Sequence, residues 1–130
     1  MKMHVFFTDD DRDELKIFLE AMAPIMQSFK CTYATEGEQA IEMLKYLTPD
    51  LIFVDVNLPG INGLRVLEAT KRSDRLRDIP FFVYSVHITD EIRKEAMELG
   101  AAGCIQKGDT IQELTDTLRE ALEPVLHVHV

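Results

Sequence analysis

A small set of polar side chains sits where it could act in concert. Asp9-Asp10-Asp11 follows the apolar run Val5-Phe6-Phe7-Thr8, and Asp55 follows Leu51-Ile52-Phe53-Val54. Ser85 follows Phe81-Phe82-Val83-Tyr84, and Lys107 follows Gly103-Cys104-Ile105-Gln106. Carboxylates held close together repel, and their pKa values rise unless a cation compensates. A hard divalent cation with oxygen ligands compensates well, and Mg²⁺ takes one or two carboxylates together with waters and phosphate oxygens. One carboxylate can then act as a nucleophile towards phosphorus. A metal and the Lys107 amine can neutralise a transferring phosphoryl group, and the Ser85 hydroxyl can donate a hydrogen bond to one of its oxygens. Each residue also has a plainer reading. Acids after a strand are most often solvated loop residues or helix N-caps, which is the ordinary role of Asp11 and Asp13. The set carries weight because its members end successive apolar runs.

Those runs alternate with amphipathic stretches. Met3 to Thr8 is predicted as a first strand, followed by a helix with Leu15, Phe18, Leu19 and Met22 on one face and ended by Pro24. Cys31 to Ala34 is a second strand. A second helix carries Ala40, Ile41, Leu44 and Leu47 and breaks at Thr48-Pro49-Asp50. Leu51 to Val54 is apolar throughout, as a strand buried on both faces should be. A third helix follows through Leu64, Leu67 and Thr70, then a fourth strand entered at Pro80, and then a helix marked by Ile92, Ala96 and Leu99 and closed by Gly100. Gly103 to Gln106 is a short fifth strand. Thr110 and Glu113 pair as a capping box before a last helix with Ile111, Leu114, Leu118 and Leu122, ending near Pro124.

Five β-α units imply a parallel sheet covered on both faces. Their number and size fit an α/β, doubly wound, flavodoxin-like (βα)5 domain with strand order 2-1-3-4-5. In that order the functional crevice lies at the carboxyl ends of the strands, beside strands one and three. Residues 1–130 are read as one domain, with no output domain after the fifth helix.

Composition narrows the classes further. Apolar residues make up 46% of the chain and charged residues 28%, the balance of a soluble globular domain. A net charge of −9 argues against a nucleic-acid footprint and against anionic membranes. Cys31 and Cys104 lack the spacing of a zinc site and are read as reduced cytosolic thiols, which places the protein in the cytoplasm. The His127-Val128-His129 tail is read as a frayed terminus rather than a metal site, and Val125, Leu126 and Val128 as an exposed tail available to a neighbour.

From about Met3 to Leu122 the chain resembles the receiver domains of two-component response regulators. The segments that carry the resemblance are Val5-Phe6-Phe7-Thr8-Asp9-Asp10-Asp11 and Leu51-Ile52-Phe53-Val54-Asp55-Val56-Asn57-Leu58-Pro59-Gly60-Ile61-Asn62-Gly63. The resemblance implies that Asp55 is the phosphoacceptor, and that Asp9, Asp10, Asp55 and the Asn57 backbone carbonyl bind Mg²⁺, with Asp10 the more direct ligand of the acidic pair. It implies that Ser85 is the switch hydroxyl and Lys107 the phosphoryl-pairing lysine. The implied partners are a sensor histidine kinase or phosphotransfer protein and an unnamed downstream protein. The implied role is signalling, with self-catalysed phosphorylation and dephosphorylation at most.

Three departures from the family pattern stand out. Gly108 replaces the proline that usually follows the lysine in a cis bond, so a trans, less fixed loop is expected. Cys104 replaces the aromatic switch residue, and a cysteine has no ring to swing. Val86 replaces a small residue and is expected to narrow access to Asp55. His87, at a position where dephosphorylation rates vary, is read as exposed. Gly108, Cys104 and Val86 leave open a pseudo-receiver, a binding module without chemistry. A haloacid-dehalogenase-like phosphatase fits less well, because Arg12-Asp13 follows the acids and the chain has no room for a cap. A flavodoxin fits poorly, because its flavin phosphate would need Ser, Thr and Gly donors in the first loop.

Overall fold

Leu51-Ile52-Phe53-Val54 has no side chain suited to water, and it becomes the core of the central strand. The computed structural model describes residues 2–128, and of His127 and Val128 the backbone alone. The elements are β1 (Met3–Thr8), α1 (Arg12–Met22), β2 (Phe29–Ala34), α2 (Gly37–Leu44) and β3 (Leu51–Asp55), then α3 (Gly63–Lys71), β4 (Phe81–Ser85), α4 (Asp90–Glu98), β5 (Gly103–Gln106) and α5 (Ile111–Val128). All neighbouring strands pair in parallel in the order β2-β1-β3-β4-β5, as the unit count predicts.

Alternation along each strand divides the core into two layers. Phe6, Ile52, Val54, Phe81 and Val83 pack beneath α2, α3 and α4 with Leu44, Leu64, Leu67 and Ala96. Val5, Phe7, Leu51, Phe53, Phe82 and Tyr84 face α1 and α5 with Phe18, Met22, Leu114, Leu118 and Leu122. The second layer is aromatic: Phe7 stacks on Phe18 at 4.3 Å between centroids, and Phe53 on Phe82 at 5.0 Å. The buried Thr115 hydroxyl donates to the Ala21 carbonyl at 2.9 Å and ties α5 to α1.

Several element ends differ from the sequence reading. β2 begins two residues early, at Phe29, which pairs with Met3. α2 stops at Leu44, before Leu47, because the Arg75 guanidinium donates to the carbonyls of Leu44 and Leu47 and satisfies the helix end there. α5 runs through Pro124 instead of ending at it. Val125 and Leu126 pack on the α1/α5 layer, so they are not an exposed tail; that apolar contact offsets the lost proline hydrogen bond. Ile111 is 40% exposed and lies off the buried stripe of α5. The side chains of the His127-Val128-His129 tail lie outside the described residues.

α3 starts against the end of β3. A Cβ at Gly63 would lie 2.1 Å from the Asp55 carbonyl oxygen, and backbone cannot yield as a side chain can. Gly63→Ala is expected to cost about 1–3 kcal/mol, the range for overpacking, read as a lower urea midpoint at unchanged slope. An unchanged midpoint would show that α3 can slide away from β3.

Candidate functional site

The carboxyl ends of β1, β3, β4 and β5 deliver Asp9, Asp55, Ser85 and Lys107 to one open cleft of about 310 Å³. Asp10, Asp11, Asn57 and Val86 also line it. Carboxylate oxygens of Asp9, Asp10 and Asp55 all lie within 4.8 Å of one another.

Asp9 is nearly sealed from water, at 1% exposure, and is held from every side. Its backbone N–H donates to the Ala34 carbonyl and its own carbonyl accepts from the Tyr33 hydroxyl at 2.7 Å, so β2 fixes its height. One carboxylate oxygen accepts from the Asp11 N–H at 3.0 Å, and the other from Lys107 Nζ at 2.9 Å. Asp10 is exposed, with its carboxylate turned into the cluster. Asp11 is the N-cap of α1 and accepts from the Asp13 N–H, the structural role expected of it.

Asp55 is the last residue of β3. Its Oδ1 accepts from the Asn57 N–H at 3.0 Å, and its Oδ2 lies 3.4 Å from Lys107 Nζ. Burial pushes its pKa up to about 6; the Asn57 N–H and Lys107 pull it down in part, and Asp9 pushes it up again. Ser85 is buried at the end of β4, and its hydroxyl has no hydrogen-bond partner among the described residues.

Lys107 is the cation of the cleft. Its side chain is 8% exposed, and its amine lies over the Tyr84 ring, 4.7 Å from the centroid. Burial works against its charge, but Asp9, Asp55 and Glu14 outweigh it, so the pKa is raised. The Glu14 carboxylate is 3.6 Å from the amine. The bond before Gly108 is trans, as expected, yet the lysine reaches both aspartates. Its N–H donates to the Ser85 carbonyl at 2.9 Å, and Glu113 folds back to accept from the Asp109 N–H at 3.0 Å. A Cβ at Gly108 would lie 2.8 Å from the Glu113 Cβ, so a residue without a side chain lets the loop pass close to the start of α5.

The other singled-out residues stand around the rim. Val86 is 66% exposed at the cleft edge, and His87 is exposed. Cys104 lies opposite Val83 on β5, half-buried, with its thiol pKa pushed up by burial. Beside it a cleft of about 440 Å³ opens between α4 and α5, bordered by Arg93, Thr117 and Ala121. Sequence reasoning missed Glu14, Tyr33 and Tyr84. Glu14 was not singled out at all, and the tyrosines read only as strand residues.

The donor set suits a hard cation. Three carboxylates converge, one of them open to water, which leaves room for solvent ligands. A hydroxyl with no hydrogen-bond partner among the described residues lines the same cleft as Asp55, and an amine lies beside that carboxylate, the complement an anionic group there would need.

A family model described as the response regulator receiver domain matches residues 5–119. The nitrate/nitrite response regulator protein NarL of Escherichia coli K12 is 36% identical over 88 residues, covering 68% of this chain and 40% of that protein. Response regulator GacA of Pseudomonas aeruginosa is 30% identical over 113 residues, covering 85% of this chain and 51% of that protein. The chain thus spans about half the length or less of these curated relatives. Among solved structures, the phosphorylated cyanobacterial phytochrome response regulator RcpA superposes with a TM-score of 0.86 at 24% identity, covering 97% of this chain and 95% of that one. The chemotaxis response regulator CheY4 of Vibrio cholerae gives 0.80 at 20% identity, covering 94% and 100%. The Mn²⁺-bound form of response regulator Rcp1 gives 0.80 at 19% identity, covering 93% and 92%. Among the described residues no helix is long and apolar enough to cross a membrane.

Proposed function

Because the chain belongs to the response regulator receiver domain family, we propose that Asp55 accepts a phosphoryl group in a two-component or phosphorelay pathway. The observation that carries this reading is the cleft around Asp55. It combines two further carboxylates, the Lys107 amine at 3.4 Å and a buried Ser85 hydroxyl with no partner among the described residues. A sensor histidine kinase or phosphotransfer protein is the donor, and the product is a regulator in a changed state rather than a released metabolite.

Asp9, Asp10, Asp55 and the Asn57 backbone carbonyl would hold Mg²⁺. Bound there, the ion supplies positive charge that keeps the carboxylates ionised and offsets the charge of phosphoryl oxygens. An oxygen of the Asp55 carboxylate forms a bond to phosphorus as the bond to the donor's leaving atom breaks. The electron pair of that bond leaves with the donor group, which then takes a proton from solvent. The Asn57 N–H orients the attacking carboxylate, the Ser85 hydroxyl donates to a phosphoryl oxygen, and the Lys107 amine pairs with the new charge. Water attack on phosphorus later breaks its bond to the Asp55 oxygen, releasing inorganic phosphate and the free carboxylate.

Phosphorylation then biases a rearrangement of the α4 and β5-α5 region and alters a partner surface. At Cys104 that change runs through packing, since no ring is present to swing. The alternative of a binding module without chemistry drew on Gly108, Cys104 and Val86. Lys107 within reach of Asp55 and Val86 out at the rim speak for chemistry instead.

Incubation with Mg²⁺ and a small acyl phosphate is expected to add one phosphoryl mass, mapped to the Asp55 peptide. No gain across several donors and metals would overturn the reading.

A further inference from the structure

Glu14 stands outside the set of residues carried over from the family, yet its carboxylate is in ion-pair range of Lys107 at 3.6 Å. It projects from the first turn of α1, and its side chain is only 20% exposed, where a glutamate serving the helix N-terminus alone would extend into water. It lines the Asp55 cleft and also a neighbouring cleft of about 190 Å³ between α1 and the β5-α5 loop.

The lysine needs such a hold. Gly108 follows it in place of a proline ring, and its amine rests over Tyr84 with Asp9 at 2.9 Å and Asp55 at 3.4 Å. Both aspartates belong to the acidic cluster. A cation held by that cluster would draw on the same carboxylates and repel the ammonium. Among the described residues, Glu14 is the carboxylate paired with Lys107 that lies outside the cluster.

We propose that Glu14 is a positioning residue that holds the Lys107 amine from the α1 side, keeping it beside Asp55 when a divalent cation occupies the acidic cluster. The purpose of this contact rests on the phosphoacceptor reading; the contact itself is testable without phosphoryl transfer.

The experiment follows the ε-methylene signals and side-chain motion of Lys107 by NMR, with and without Mg²⁺, in the wild-type chain, Glu14→Gln and Glu14→Asp. The wild-type chain is expected to keep a dispersed, slow-moving Lys107 signal after Mg²⁺ is added. Glu14→Gln is expected to keep it without metal, because Asp9 still holds the amine. With Mg²⁺ it is expected to lose it, the signal merging with those of exposed lysines such as Lys94. Glu14→Asp retains charge at the helix start but has a shorter reach, so its melting temperature should match wild type while its lysine order falls between the two. A role confined to the helix N-terminus would lower only the melting temperature of Glu14→Gln and leave Lys107 unmoved in every variant; that result overturns the proposal. A wild-type chain that gains no phosphoryl mass counts against the function of Asp55 and leaves the lysine result standing, so the two failures are distinguishable.

Discussion

Lys107→Met is expected to lower the stability of the metal-free protein at pH 7 by about 3 kcal/mol, the low end of what breaking a buried ion pair costs. Acid or Mg²⁺ should restore most of it. Methionine keeps an unbranched chain over Tyr84, so the loss is mainly electrostatic. It leaves Asp9, at 1% exposure, and Asp55, at 6%, in one cluster without the amine that paired with both. Lys107 also pulls the Asp55 pKa down, so without it that carboxyl rises above its present value of about 6. A carboxyl whose folded pKa exceeds its unfolded one contributes stability that is full below the unfolded value and lost as pH rises through the folded one. The variant should therefore recover as pH falls from 7 to 5. With the proposed metal site, Mg²⁺ should stabilise it in proportion to occupancy, since an ion held by the folded cluster alone shifts the equilibrium towards the folded state. Urea unfolding at both pH values, with and without Mg²⁺, checks this. A deficit equal under all conditions would assign the loss to packing on Tyr84.

Asp55→Asn is expected to have two effects of opposite appearance. It abolishes the gain of phosphoryl mass, because an amide is no nucleophile towards phosphorus. It also stabilises the metal-free protein at pH 7 by something on the order of 2 kcal/mol. The wild-type carboxyl moves from an ordinary value of 3.8 to about 6 in the folded chain, chiefly through burial. Between those values the folded state holds a proton that the unfolded state has released. Stability from this group thus falls as pH climbs through the window, and the deficit is complete above about 6. Asparagine keeps the shape and an acceptor for the Asn57 N–H without the charge. The gain should fade as pH falls through the window and vanish below about 3.8, where the carboxyl is neutral both folded and unfolded, and shrink in Mg²⁺, which the proposed wild-type site would hold better. Thermal melts across pH 4 to 7 provide the test. A variant less stable than wild type at pH 7 would mean that the Asp55–Lys107 attraction outweighs the burial of the carboxylate.

The order of the strands and the convergence of Asp9, Asp55, Ser85 and Lys107 were legible because the signals are local. Each residue ends an apolar run, and a parallel α/β sheet sends all such ends to one edge. Helix ends were less legible. α2 stops where Arg75, from a distant loop, caps its carbonyls, and α5 continues past Pro124 because Val125 and Leu126 find apolar partners. Neither contact leaves a mark in the local pattern.

The site divides along the same line. Residue types and their places after apolar runs determined by themselves that a strand-end carboxylate, an acidic pair, a hydroxyl and an amine would share one rim. Tertiary structure alone decided how tightly they are held. Tyr33 reaches across from β2 to the Asp9 carbonyl, Tyr84 lies beneath the Lys107 amine, and Glu14 meets that amine from α1. Only packing also revealed that Glu113 orders the loop at Gly108, where the sequence suggested a loose one. The physical reason is range. Hydrophobic periodicity and strand-end position are properties of neighbouring residues, whereas an ion pair between residues 14 and 107 exists only once two helices and a sheet have closed on each other.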